Sequence, residues 1–227
     1  MPPKLSNHKL KEHSFVEPKA RREKKLVSSS FFTLRCARAI KFNYKTLINY
    51  NPFLFKIILN YLQPKPKEKI LDLGCARGFY VKEIERYTDD VIGIDISKEA
   101  IEKAVTRKVK YGDVTELNFK ADTFDKIYSL HTIEHIENLE KFFKEADRVL
   151  KPEGIFILVY PFEPIRGIQA IGTATINYKN PFMIRKIHLH KLTPKKIKEL
   201  IKNTSFHHIK SKLIFALGIQ YLTILKK

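Results

Sequence analysis

Residues 70–80 read Ile-Leu-Asp-Leu-Gly-Cys-Ala-Arg-Gly-Phe-Tyr, and this stretch decides the fold. A short apolar run carrying one acid, Asp72, opens into a glycine turn, and a helix-period pattern with Val81, Ile84 and Tyr87 follows. In an open α/β sheet, such a junction brings a ligand against bare backbone at the carboxyl end of a strand. Gly74 and Gly78 suit the turn, because glycine accepts positive φ and puts no Cβ in a ligand's way. The spacing is not the Gly-x-Gly-x-x-Gly of a dinucleotide binder, and no Gly-Lys-Ser/Thr follows to make a phosphate loop.

Outward from this junction the chain keeps a βα rhythm. Val91–Asp95 is expected as a second strand, with Ser97 capping a helix that carries Ile101, Ala104 and Val105. Val109–Tyr111 and Phe124–Leu130 follow as third and fourth strands. Leu139–Leu150 reads as an amphipathic helix, Lys151–Gly154 as a turn, and Ile155–Tyr160 as a fifth strand. Thr193-Pro194 starts a further helix, and strands near 208–215 and 219–225 flank Gly218. Short strands alternating with helices imply a parallel sheet covered on both faces.

The strand ends carry what a nucleoside ligand needs. Asp95 ends the second strand about twenty residues past the glycine turn, an offset at which an acid reaches ribose hydroxyls. Gly112-Asp113-Val114 ends the third strand, where a carboxylate can accept an exocyclic amino proton. With Phe124–Leu130 and Leu150-Lys151-Pro152-Glu153-Gly154, these segments resemble class I S-adenosylmethionine (SAM)-dependent methyltransferases, in particular the broad group that includes ubiquinone-biosynthesis enzymes. The likeness runs over roughly residues 68–160, with a looser match around 188–227; Ala76 stands where the family often has another glycine. It implies a Rossmann-like, doubly wound sheet of seven strands whose last pair forms a hairpin. It also implies SAM as cofactor, held by Asp72, Gly74, Cys75, Ala76, Gly78, Asp95, Ile96, Asp113, Val114 and Leu130. Asp72 would lie near the methionyl end and Asp113 at the adenine.

The reaction so implied is an in-line displacement at the sulfonium methyl, in which the protein mainly aligns the acceptor and excludes water. An oxygen or nitrogen acceptor also calls for a base. His131, directly after the fourth strand, is the candidate catalytic residue, the alternative being that it lines the cofactor pocket. It opens His131-Thr132-Ile133-Glu134-His135, which as text matches the inverzincin pattern. That pattern belongs on a long helix, and here it follows a strand, so a protease is excluded. Some ubiquinone-type and small-RNA methyltransferases carry Glu-x-x-Glu-His here and bind a divalent metal. The resemblance therefore offers Glu134 and His135 as metal ligands, with His131 in place of the first glutamate and His188 or His190 completing the set, the alternative being that Glu134 and His135 only order the loop, as in metal-free relatives. Imidazole-rich ligation favours zinc, iron or manganese over magnesium.

Length and charge bound the rest. The chain of 227 residues suits one domain with some decoration. No apolar run reaches the ~18 residues of a transmembrane helix. The N-terminus has no apolar core of a secretory signal, and Cys36 and Cys75 form no Cys-x-x-Cys, so zinc fingers and disulfide scaffolds are excluded and a cytoplasmic location is expected. The net charge of +19 divides into +12 over residues 1–69, −4 over 70–160 and +11 over 161–227. Residues 1–30 read as a basic flexible arm, 31–66 as a helical extension, and 67–227 as the methyltransferase domain, with 161–190 as an acceptor-side lid. In the lid and at its entry, Tyr160, Phe162, Arg166, Tyr178, Phe182 and Arg185 offer either a stacking and anion-binding set or a small core.

Three functions remain open on these grounds. Methyl transfer to a small metabolite, lipid-like or sugar-like acceptor is preferred, because no RNA-binding module is appended. RNA methylation through the basic flanks is the main alternative, and a non-catalytic SAM-binding partner subunit the third. The basic stretch from Phe31 to Leu62 suits peripheral contact with anionic lipid. Nothing in the sequence sets the oligomeric state.

Overall fold

The computed structural model describes residues 50–216 and 218–227, so the expected arm and the first part of the helical extension lie outside the described residues. The described part of that extension is helix α1 (Pro52–Leu62). The Asn51 side chain caps it by accepting from the Phe53 and Leu54 N–H groups, and proline takes the first helical position. Its inner face buries Leu54, Phe55, Ile58 and Leu62. The helix ends at Gln63 in a left-handed conformation, whose carbonyl accepts from Lys126 Nζ at 2.8 Å.

Strands β1 (Ile70–Leu73), β2 (Val91–Asp95), β3 (Val109–Tyr111), β4 (Phe124–Leu130), β5 (Leu150–Pro161), β6 (His207–Phe215) and β7 (Ile219–Lys226) form one sheet in the order β3-β2-β1-β4-β5-β7-β6. All neighbours from β3 to β5 are parallel; β7 runs antiparallel to both β5 and β6. The expected seven strands with a terminal hairpin are thus present. Side chains alternate faces, as the period of two demands. In β5, Phe156, Leu158 and Tyr160 enter one core with Phe142 and Phe143, while Ile157 and Val159 enter the other with Leu54 and Ile58. Helix α1 and helix α2 (Phe79–Ile84) contribute to the second core. Helix α4 (Leu139–Val149) covers the first face with Leu139, Phe142, Phe143, Ala146 and Val149, all buried.

Three local expectations are corrected. The helix capped by Ser97, α3 (Lys98–Glu102), stops before Ala104 and Val105, because the Val105 N–H turns to the Arg77 carbonyl at 2.9 Å. Helix α2 ends at Ile84, leaving Tyr87 past its end and partly exposed. Lys151–Gly154 is no separate turn: the chain stays in β5 and bulges, its register passing from Phe124↔Leu150 to Lys126↔Ile155 with Glu153 at φ 66°. Reciprocal bonds between Lys227 and the Glu153–Gly154 segment hold the bulge.

The strand order reverses between β1 and β4. At such a switch point the connections leave in opposite directions and open a crevice at the carboxyl edge. The 161–190 segment sits past β5 at the same edge. It contains α5 (Ile171–Tyr178) and α6 (Ile184–Ile187), and α7 (Pro194–Leu200) follows.

Candidate active site at the carboxyl edge of the sheet

The β1–α2 turn is shaped by three left-handed residues in alternation: Gly74 at φ 86°, Ala76 at φ 49° and Gly78 at φ 74°. At Gly74 the glycine is required twice over. Besides its φ, a Cβ placed there would stand 2.1 Å from Thr132 Oγ1, so the turn lies directly on the loop after β4. Ala76 adopts the conformation that glycine takes freely, at a cost of about 1 kcal/mol.

Asp95 is buried, and its two oxygens accept the Ala76 and Ser97 N–H groups, both at 2.8 Å. The acid expected at the ribose therefore also braces the glycine turn. Asp72 is buried beside the Tyr128 phenol; burial pushes its carboxyl up, helped by the Asp95 charge and opposed by the phenol. Burial likewise raises the Cys75 thiol, which packs on Gly93. Asp113 is exposed at the end of β3, with Oδ1 accepting from the Thr115 N–H and hydroxyl. Ile96 leaves an apolar surface 39% exposed at this edge, while Val114 is buried and Leu130 half-buried.

On the other side of the switch point, the Ser129 hydroxyl donates to the Leu73 carbonyl at 2.8 Å and ties β4 to β1. His131 follows at φ 51°, a strained conformation for a non-glycine residue, with its N–H held by the Val159 carbonyl at 2.8 Å. Its Nδ1 lies 3.6 Å from Glu134 Oε1. Glu134 stands in the one-turn 3₁₀ helix Ile133–His135 and is buried; its Oε2 has no hydrogen-bond partner. Burial alone would raise its carboxyl, but the neighbouring His131, His135 and His188 imidazoles pull it down to about 2.

Two further imidazoles meet this carboxylate. Ligand atoms of Glu134, His135 and His188 lie within 4.8 Å of one another. His135 Nδ1 donates to the Ile187 carbonyl at 2.7 Å, and His188 Nδ1 donates to Glu163 Oε1 at 2.7 Å. Burial lowers the His135 imidazole. In His188 the hydrogen bond to Glu163 overcomes burial and raises it. Of the sequence candidates, His188 thus joins Glu134 and His135. His131 falls outside this group of three, and His190 turns Nε2 to the Ile136 carbonyl at 2.8 Å. Glu163 escaped the sequence reading, although a signal existed: it is one of two acids among thirteen Lys/Arg in residues 161–227. Beyond His188, its oxygens accept the Gly167 and Gln169 N–H groups and so organise the 161–190 segment. Thr132 was missed as well, since close packing across a sheet is invisible in a linear pattern.

The aromatics of the expected lid and its entry divide. Tyr160 is core, its hydroxyl bonded to Thr223 Oγ1 at 2.9 Å, and Phe162 packs on Tyr221. Phe182 is 86% exposed. Arg166 donates to the Leu189 carbonyl, while Arg185 is exposed.

A seven-stranded sheet of this order, parallel except for β7, with a glycine turn at the switch point, has the class I SAM-dependent methyltransferase fold. Residues 71–158 match the methyltransferase domain family, and that segment is a methyltransferase domain. The sterol 24-C-methyltransferase of Aspergillus fumigatus is 34% identical over 99 residues, 39% of this chain and 26% of that one. The cyclopropane-fatty-acyl-phospholipid synthase of Escherichia coli is 37% identical over 112 residues, 45% and 28% of the two chains. The chain thus spans about a quarter of the length of these relatives. Among solved structures, the complex between the Haloferax volcanii Trm112 methyltransferase activator and a methyltransferase aligns with a TM-score of 0.68 at 17% identity, over 88% of this chain and 96% of that one.

Proposed function

We propose that this chain transfers the methyl group of SAM to a small acceptor of lipid-like character. The observation that carries the reading is the left-handed turn from Gly74 to Gly78, braced by Asp95 at the β1/β4 switch point inside a methyltransferase domain. Bare backbone there admits the cofactor, and Asp95, Asp113 and the exposed face of Ile96 suit ribose, amino group and base in turn. Two relatives named for sterol and phospholipid substrates support the acceptor class. Because the sulfonium is already activated, the chain's work is alignment, exclusion of water and removal of one proton. His131 takes that proton in this reading. Glu134 is positioned to favour the imidazolium that forms, as a buried carboxylate does for a histidine base. Calorimetric titration with SAM, followed by detection of S-adenosylhomocysteine on incubation with a lipid extract, tests the proposal. Binding with lipid-dependent product formation is expected. Product formed only with RNA would move the acceptor, and tight binding without product would favour the SAM-binding subunit.

A divalent metal is a second reading, favoured by the unpartnered, buried Oε2 of Glu134 beside two imidazoles. Glu134, His135 and His188 would hold it, with the Ile187 carbonyl and Glu163 fixing the two rings from behind. One carboxylate with two imidazoles suits zinc, iron or manganese, and the ion would supply Lewis acidity toward an acceptor hydroxyl. Protein purified without chelators is expected to carry about one such ion and to lose melting temperature when stripped. Absence of metal, with no thermal shift on adding zinc or manganese, would contradict this reading.

A further inference from the structure

The lid carries a surface for which methyl transfer itself has no use. From Pro164 to Lys198 the chain has eight Lys/Arg and no Asp or Glu. Three segments meet at this end of the sheet. The Gln169 side-chain amide donates to the carbonyls of Phe162 and Ile219, both at 2.7 Å, so the 165–171 segment lies against the β6–β7 turn. The 181–184 turn closes on Gly167, where a Cβ would stand 2.5 Å from the Ile184 carbonyl oxygen. The hairpin turn itself falls at the carboxyl edge, because β7 runs antiparallel to β5 and pairs Gln220 with Pro161.

Each of the three segments exposes large apolar side chains. Ile165 and Ile171 are 57% and 46% exposed, Phe182 86%, Phe215 74% and Ile219 38%. Lys179, Arg185 and Lys186 are exposed in the same lid. Clustered apolar tips among cations mark an interaction face. The composition also discriminates between polyanions. Isoleucine side chains gain nothing on a phosphodiester backbone, whereas an anionic bilayer accepts cations at its headgroups and aliphatic tips just below them.

We infer that the lid and the β6–β7 turn form a docking face for an anionic lipid surface, with Phe182 and Phe215 entering the headgroup boundary and Arg185 and Lys186 meeting lipid anions. Docking in this orientation sets the carboxyl edge of the sheet, and with it the crevice, against the bilayer. The inference goes beyond methyl transfer and stands on surface chemistry alone. Vesicle binding without detectable transfer would uphold it while removing the function proposed above.

The test is co-sedimentation of the full chain with phosphatidylcholine vesicles and with mixed phosphatidylcholine–phosphatidylglycerol vesicles. It is repeated for the double variants Phe182→Ser/Phe215→Ser and Arg185→Ser/Lys186→Ser, all four sites being exposed and outside the core. The chain is expected to pellet with the anionic vesicles. Each double variant should lower partitioning by about tenfold or more, as two surface cations or two interfacial aromatics warrant, with melting temperature and SAM affinity unchanged. No pelleting with anionic vesicles would overturn the inference. So would pelleting that both double variants leave intact, which would assign the lipid contact to another part of the chain. Binding of an RNA oligonucleotide in place of vesicles, lost in the cationic variant alone, would overturn it in favour of RNA.

Discussion

The two sides of the switch point are built by different means. Around β1, β2 and β3 the site is made of backbone: Gly74, Gly78 and Gly93 each sit where a Cβ would collide with a neighbour. Past β4 it is made of side chains, with Glu134, His135 and His188 gathered in the interior and Glu163 reaching in from the lid. Charge follows the same division, −2 over residues 70–130 and +9 over 131–227. The match to the methyltransferase domain family stops at residue 158, just before the lid begins. A cofactor shared by many enzymes can be held by generic backbone geometry, whereas an acceptor peculiar to one enzyme calls for side chains particular to it.

The largest effect that could break this comparison lies at Gly74. Gly74→Val adds a branched side chain where Thr132 already fills the space, at positive φ. It should cost about 3 kcal/mol or more from overpacking and backbone strain together, and abolish SAM binding. Urea unfolding and calorimetry check both, and a stable variant with normal affinity would refute the backbone account. Glu134→Gln comes next: transfer should fall by about a hundredfold or more, the range of a lost acid–base contribution, with SAM affinity unchanged in the same titration. Equal losses in both would place Glu134 on the cofactor side.

Glu163→Gln is expected to be smaller and local. Neutralising the acceptor for His188 and for two lid N–H groups should loosen the lid by about 1–3 kcal/mol, read as faster proteolysis within residues 161–190 while the sheet unfolds at an unchanged midpoint. The smallest effect belongs to Ala76→Gly. Relief at φ 49° opposes the greater freedom of glycine in the unfolded chain, so stability should move by no more than about 1 kcal/mol. A large destabilisation would mean that the Ala76 methyl itself packs against something essential.

The same division sets how much was legible in the sequence. The strands β1 to β4 could be read because each announces itself by a short apolar run, with Asp95 closing β2 and Asp113 following β3 as chemically distinct marks. The end of α3 could not, since it depends on the Val105 N–H finding the Arg77 carbonyl from another loop. Lys151–Gly154 has the composition of a turn, and only the tie to Lys227 at the chain's other end keeps it in the sheet as a bulge. At the site, Glu134 and His135 were legible as neighbours in a short motif. The choice of His188 over His190 was not, because the partners that turn the two rings apart, Glu163 for His188 and the Ile136 carbonyl for His190, come from other segments of the fold. Glu163 stood out only as a rare acid in a basic segment, and its partners came from the fold.

The measurement that bears most directly on the central claim is transfer of labelled methyl from SAM into a cell extract, fractionated after incubation with and without ribonuclease. The account expects label in the organic-soluble fraction, insensitive to ribonuclease and strongly reduced with His131→Ala. Label that disappears with ribonuclease, or no transfer from a protein that binds SAM, would contradict it.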